Sequence, residues 1–92
     1  VIFVSSDDIA LGVLKGLRDL KIRIPEDIQI IGFDDMPFSK HFTPTLTTIA
    51  QDRLALGEMA AKILIAKIEN PEIILDEVTR IPVKMIIRES TQ

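Results

Sequence analysis

The chain opens on an unbroken apolar run, Val1-Ile2-Phe3-Val4, and turns polar at Ser5-Ser6-Asp7-Asp8. A short apolar run with β-branched residues and no alternation is the pattern of a parallel strand covered on both faces. The spacing then becomes helical: Ile9, Val13, Leu17 and Leu20 form one stripe, widened by Ala10 and Leu14, with Lys15, Arg18 and Asp19 away from it. This predicts a helix over residues 8–20, capped by Ser6 or Asp7, with an acidic first turn that suits its positive end. Pro25 pushes Ile24 toward extended geometry. Ile28, Ile30, Ile31 and Phe33 then make a second strand, closed by Gly32, Asp34 and Asp35. Strand, helix and strand in succession form a βαβ unit.

Residues 36–45 read as a loop punctuated by Pro37 and Pro44, and Thr45-Leu46-Thr47-Thr48-Ile49 reads as extended. A second helix is predicted over residues 51–69, apolar around most of its circumference, with Glu58 and Lys62 marking the solvent face. So broad an apolar surface needs neighbours on more than one side. Asn70-Pro71 stops this helix, and extended stretches follow at 73–79 and 83–87, with Pro82 between them suggesting an edge or a crossing segment. The fold class is α/β, a parallel sheet with flanking helices. These elements are too few to cover both faces of such a sheet, so the missing layers are expected upstream.

Composition narrows the function classes. The chain has 92 residues, 47% of them hydrophobic, enough for one core and at most one domain. It starts inside a strand without an initiator Met, which reads as a truncated start. No apolar run approaches the roughly 20 residues needed to span a bilayer. Lys and Arg number 11 against 14 acids, and the basic residues are scattered singly, whereas a surface that tracks phosphates needs clustered positive charge. There is no cysteine, hence neither a disulfide framework nor a thiolate metal site.

In parallel sheets ligands bind beyond the carboxyl ends of the strands. The chain places Ser5, Ser6, Asp7 and Asp8 after the first strand, and Asp34 and Asp35 after the second. A carboxylate on such a rim can accept hydroxyl donors from a sugar, a nucleoside or a phosphorylated sugar, each charge-assisted bond contributing on the order of 1.5 to 3 kcal/mol. Each residue also has a local role open to it: cap or first-turn acid for Ser6, Asp7 and Asp8, turn former for Asp34 and Asp35. A Mg²⁺-dependent enzyme or receiver is the rival use of clustered carboxylates. It lacks a Gly-rich phosphate loop, a Lys near the acids and a nucleophile with an adjacent base, so no catalytic residue, metal ligand or cofactor is assigned. His41 is the single histidine and reads as a loop residue partly covered by Phe38 and Phe42. Met36, Pro37, Phe38, Phe42 and Pro44 give the loop an apolar character, suited to folding back over the sheet or to packing on a partner subunit. The polar end, Arg88-Glu89-Ser90-Thr91-Gln92, reads as a fraying, solvated terminus.

Four ordered segments carry a resemblance. Phe3-Val4-Ser5-Ser6-Asp7-Asp8-Ile9-Ala10-Leu11-Gly12 resembles F-x-x-N/S-D-x-x-A-x-G; residues Arg23-Ile24-Pro25-Glu26-Asp27-Ile28 through Gly32-Phe33-Asp34-Asp35 resemble R-V-P-x-D-I-x-V-x-G-F/Y-D-D/N. Pro44-Thr45-Leu46-Thr47-Thr48-Ile49 resembles P-x-L-T-T-I/V, and Ile86-Ile87-Arg88-Glu89-Ser90-Thr91 resembles L-I-x-R-x-S-T. Together they are similar to the LacI/GalR family of bacterial transcriptional regulators over essentially the whole chain. The resemblance implies a fragment of the periplasmic-binding-protein-like type I fold, two α/β subdomains with a small effector between them. Residues 1–44 and 81–92 would belong to the C-terminal subdomain and 45–80 would cross into the N-terminal one, with Thr45, Leu46, Thr47 and Thr48 as the crossover. Effector contacts fall on Ser6, Asp7 and Asp34, and a homodimer interface on Leu11, Leu14, Lys15, Met36, Phe38 and Phe42. The partners implied are a sugar-like effector, a second copy, and operator DNA reached through an N-terminal domain absent from this chain, in the cytoplasm. An extracytoplasmic sugar-binding protein of a transporter or chemoreceptor shares the fold and stays open as the alternative.

Overall fold

The computed structural model describes residues 1–75 and 77–92. Its elements are β1 (Ile2–Phe3), α1 (Asp7–Asp19), β2 (Ile30–Phe33), a 3-10 helix (Pro37–His41), β3 (Thr47–Gln51), α2 (Arg53–Glu69) and β4 (Val83–Ile86). The strands form one sheet in the order β1-β2-β3-β4. β1 and β2 are parallel with Ile2 opposite Ile30, and β2 and β3 are parallel with Ile31 opposite Thr47. The βαβ reading of the first 33 residues is therefore correct. Two compact units are present, Val1–Ala50 with Lys84–Gln92, and Gln51–Val83.

Ser6 is the N-cap of α1, its hydroxyl accepting the Ile9 N–H at 3.2 Å, and the left-handed Lys21 (φ 59°) lies just beyond the helix end. The buried face runs Asp7, Ala10, Leu14, at spacings of three and four residues. Val13 and Leu17 pack beside it, while Ile9 and Leu20 are exposed. The stripe seen in the sequence is thus rotated, because α1 begins at Asp7 and the burial of that side chain fixes which face turns inward. Val4, Ala10, Leu14, Ile30 and Leu46 form the core, with Ile2, Ile24, Ile28 and Phe42 against it. Phe42 stacks on Phe38 with ring centroids 5.4 Å apart, so the apolar loop folds back over the sheet. His41 is exposed rather than covered.

Three expectations are corrected. β1 is not covered on both faces, since Phe3 remains 61% exposed. Residues 73–79 contain no strand among the described residues; Ile73 donates to the Asn70 carbonyl at 3.0 Å in a turn after α2, and Asp76 lies outside the described residues. The C-terminal residues do not fray. Ser90 is buried, and its hydroxyl accepts the Thr47 N–H at 2.8 Å while donating to the Ile30 carbonyl at 2.7 Å. The Ser90 backbone also accepts from Ile30 N–H at 3.0 Å and donates to Thr45 at 2.9 Å. Next to it the Glu89 carboxylate accepts from both the Thr45 N–H and hydroxyl, which holds it below the usual carboxylate range. The polar side chains at this end supply bonds that β2 and the approach to β3 need, which a composition reading cannot see.

A polar knot lies inside the same unit. Asp7 has no solvent exposure, and its oxygens accept from the Thr48 hydroxyl at 2.8 Å, the Met36 N–H at 2.9 Å and the Ser39 hydroxyl. Gly32 makes room for it: a Cβ there would overlap Asp7 Oδ1 and lie 2.9 Å from Leu46 Cδ2. Replacing Asp7 by Asn puts an amide donor among donors, and the expected loss is about 1–3 kcal/mol in chemical denaturation of the intact protein. Ser90→Ala strands the Thr47 N–H and the Ile30 carbonyl, and a loss of about 1–3 kcal/mol is expected in the same measurement.

Candidate functional site

Because β1 and β2 are parallel neighbours, their carboxyl ends open on the same edge of the sheet. β1 leads into Ser6, and β2 leads directly into Asp34. Ser6 is half-buried, and its oxygen caps α1. Asp34 and Asp35 both lie at positive φ, 115° and 52°, a region L-residues seldom occupy. Such residues cost about 1–3 kcal/mol each and persist where surrounding contacts over-determine them.

Those contacts come from distant parts of the chain. The Asp34 N–H donates to the Ile49 carbonyl at 2.7 Å, the Asp35 N–H to Thr48 Oγ1 at 3.2 Å, and the Met36 N–H to Asp7. The Asp35 carboxylate is paired with Arg88 at 2.8 Å. The turn's backbone N–H groups are therefore held by distant parts of the chain. Asp7 lies behind the rim rather than on its surface, since it has no exposed surface and its oxygens are taken by three protein donors. Asp8 is exposed.

Thr45, Leu46, Thr47 and Thr48 run into and along β3, and all but half-buried Thr45 are buried. Thr47 Oγ1 accepts the Arg88 N–H at 2.8 Å and lies 2.8 Å from Thr91 Oγ1. Thr48, Ser39 and Arg88 are the supporting residues that reading the sequence by composition missed. Arg88 had a signal, its place in the R-x-S-T segment; Ser39 had none, because only the folded 3-10 helix brings it to Asp7.

Among the described residues no group of three acids or histidines is arranged to hold a metal ion. The reason is visible in the partners: Asp7 is enclosed by donors and Asp35 is neutralised by a guanidinium. No helix among them is long and apolar enough to cross a membrane.

A cavity of about 570 Å³ lies away from this rim, between Leu11, Gly12, Lys15 and Arg18 of α1 and the Phe42-Thr43 segment. Arg18 donates to the Thr43 carbonyl at 2.6 Å, tying its two walls together. Leu11 is 51% exposed, Lys15 is exposed, and Met36, Phe38 and Phe42 are half-buried. Leu14, at 3% exposure, is a core residue that lines the groove floor with little surface to offer a partner.

A family model described as a periplasmic binding protein-like domain matches residues 1–91. The ribose operon repressor of Halalkalibacterium halodurans is 40% identical over 92 residues, which are 99% of this chain and 27% of that repressor. Among solved structures, a LacI-family transcriptional regulator from Enterococcus faecalis V583 with bound ribose superposes with a TM-score of 0.86 at 41% identity, over 98% of this chain and 33% of its own. A lac repressor dimer bound to operator and an anti-inducer superposes with a TM-score of 0.84 at 29% identity, over 97% and 30%. The chain thus spans roughly a third or less of each relative's length. With its parallel strand tips, its aspartate turn and its matched span, the chain belongs to the LacI/GalR family of transcriptional regulators and carries their periplasmic-binding-protein-like fold.

Proposed function

We propose that these residues are the C-terminal portion of the effector-sensing domain of a bacterial repressor, and that the effector is a sugar. The observation that carries this reading is the shared rim, where Ser6 and Asp34 follow adjacent parallel strands, so that a hydroxyl-bearing and a carboxylate-bearing residue stand at the same edge. A sugar offers paired hydroxyls, which a carboxylate accepts with charge-assisted bonds. The bound ribose in the Enterococcus faecalis relative and the name of the Halalkalibacterium halodurans repressor support a pentose. Asp7 acts by fixing the start of α1 and the turn before Met36.

In the same reading, residues 1–44 and 81–92 belong to one subdomain and 45–80 pass into a second. The compact units Val1–Ala50 with Lys84–Gln92, and Gln51–Val83, support such a division. No residue of α2 is buried, with Leu54, Leu64 and Ile68 at 74%, 61% and 67% exposure, which is what a helix awaiting the rest of a subdomain looks like. Operator DNA is reached through a separate part of the intact cytoplasmic protein. Effector and operator are then linked events: a sugar that binds two closure states with different affinity shifts the population between them and so changes DNA affinity. No bond is made or broken. The groove beside Leu11, Lys15 and Phe42 is the surface through which two copies associate, a reading supported by the dimeric lac repressor.

Asp34→Ala in the intact protein is expected to weaken D-ribose binding roughly 10- to 150-fold in calorimetry, the worth of one charge-assisted acceptor, while operator affinity in a gel-shift assay stays within about twofold. Unchanged ribose affinity would remove Asp34 from the site. Leu11→Asp places a charge in the apolar groove, and sedimentation is expected to show monomer at concentrations where the parent protein is dimeric; a variant that sediments like the parent would move the interface elsewhere.

A further inference from the structure

We propose that Arg88 is a positioning residue for the effector carboxylate: it holds the left-handed Asp34-Asp35 turn in the shape that sugar hydroxyls recognise. The proposal deepens the sugar-binding reading and rests on Asp34 being the acceptor. Arg88 is four residues from the end of the chain and touches the turn from outside the strands that form the rim. One arm of its guanidinium donates to Asp35 Oδ1 at 2.8 Å, the other to the Leu46 carbonyl at 2.9 Å, and its own N–H is fixed on Thr47 Oγ1 at 2.8 Å.

Three features separate this pair from the other ion pairs described. Its side chains are 18% and 30% exposed, against 74% and 63% for Lys15–Asp19 and 71% and 41% for Arg23–Asp27, so solvent screens it least. It spans 53 residues of sequence, whereas the other two join residues four apart on local structure. It grips a residue at φ 52° directly beside one at φ 115°, the two consecutive non-glycine residues at positive φ among the described residues. Among the described bonds that hold the turn, this one reaches the Asp35 carboxylate, while the backbone N–H groups of residues 34, 35 and 36 make others. Removing it lets the turn relax toward ordinary backbone, and a ligand must then restore the strained shape out of its own binding energy. A planar fork with donors in two directions is required to bridge a carboxylate and a carbonyl, which an ammonium serves less well.

The clamp also joins the turn to the segments around β3 and β4. Leu46 immediately precedes β3, Arg88 follows β4 by two residues, and it is along these strands that the chain leaves and re-enters the unit containing the rim. The shape of the sugar-binding turn is thus fixed by the same guanidinium that holds these segments together.

The test compares Arg88→Met, Arg88→Lys, Ser90→Ala and Asp34→Ala in the intact protein, with D-ribose as the calorimetric probe and the Asp34 and Asp35 backbone resonances as a ligand-free readout. Arg88→Met is expected to weaken ribose about tenfold and Arg88→Lys to recover part of that, because preorganisation rather than a direct contact is lost. Both Asp resonances are expected to shift in Arg88→Met without ligand. Ser90→Ala, which lowers stability but leaves the Arg88–Asp35 bond itself in place, is expected to weaken ribose clearly less than Arg88→Met does. Parental affinity in Arg88→Met overturns the proposal, as does a Ser90→Ala variant that weakens ribose equally, since the effect is then one of stability alone. If the parent protein binds no ribose, the pentose reading fails and the resonances decide for Arg88: unmoved signals overturn its hold on the turn, and moved signals uphold it.

Discussion

The Asp7 side chain has no contact with solvent, and a carboxylate in that position is tolerable only where donors surround it. It draws those donors from three places: the backbone after the aspartate turn, the 3-10 helix and β3. Each of those segments is consequently placed by the same pair of oxygens. Gly32 permits the approach, and Ser6, one residue earlier, caps the helix whose second buried position is Ala10. Helix start, strand end and loop are thus mutually dependent, which is the behaviour expected of a fully satisfied buried network.

The rim inherits its rigidity from that knot. A turn with two consecutive non-glycine residues at positive φ is not a shape short peptides select for themselves. It survives because β3 receives two of its N–H groups, Asp7 a third, and Arg88 its carboxylate. Strain collected at one edge of an otherwise regular sheet is a feature of binding sites, where a fixed acceptor is worth more than a relaxed one. The scaffold around it is made of short strands, so hydroxyl side chains such as Thr47, Thr48 and Ser90 carry bonds that longer ladders would supply from backbone alone.

Apolar surface is distributed unevenly. Around α1 and β2 it is spent on a core of Val4, Ala10, Leu14, Ile30 and Leu46, with Phe42 lying over it. Along α2 none of it is buried. Exposed leucines and isoleucines at that density are costly to leave in water, and they fit the modest share of each relative's length that the chain spans. The groove between α1 and the Phe42-Thr43 segment is a different case, because it is bounded by charged residues and bridged by Arg18.

The sequence by itself determined the type and order of β1, α1, β2, β3, α2 and β4, though not the 3-10 helix or the lack of a described strand at 73–79, because hydrophobic period, Pro and Asn-Pro stops and cap residues are local properties, and it determined the family, because four motifs stand in order along one chain. It also determined that acids and serines end the strands, while leaving each one's role open between cap, turn and ligand contact. Only the tertiary structure decided that Ser6 rather than Asp7 caps α1, that Asp7 faces inward, and that the helix stripe is rotated to match. It also decided that the polar C-terminal residues are stitched to Ile30, Thr45 and Thr47 rather than solvated. The physical reason is the same in each instance: a polar side chain's place depends on partners 29 to 60 residues away, and no local pattern encodes a donor that arrives from another strand.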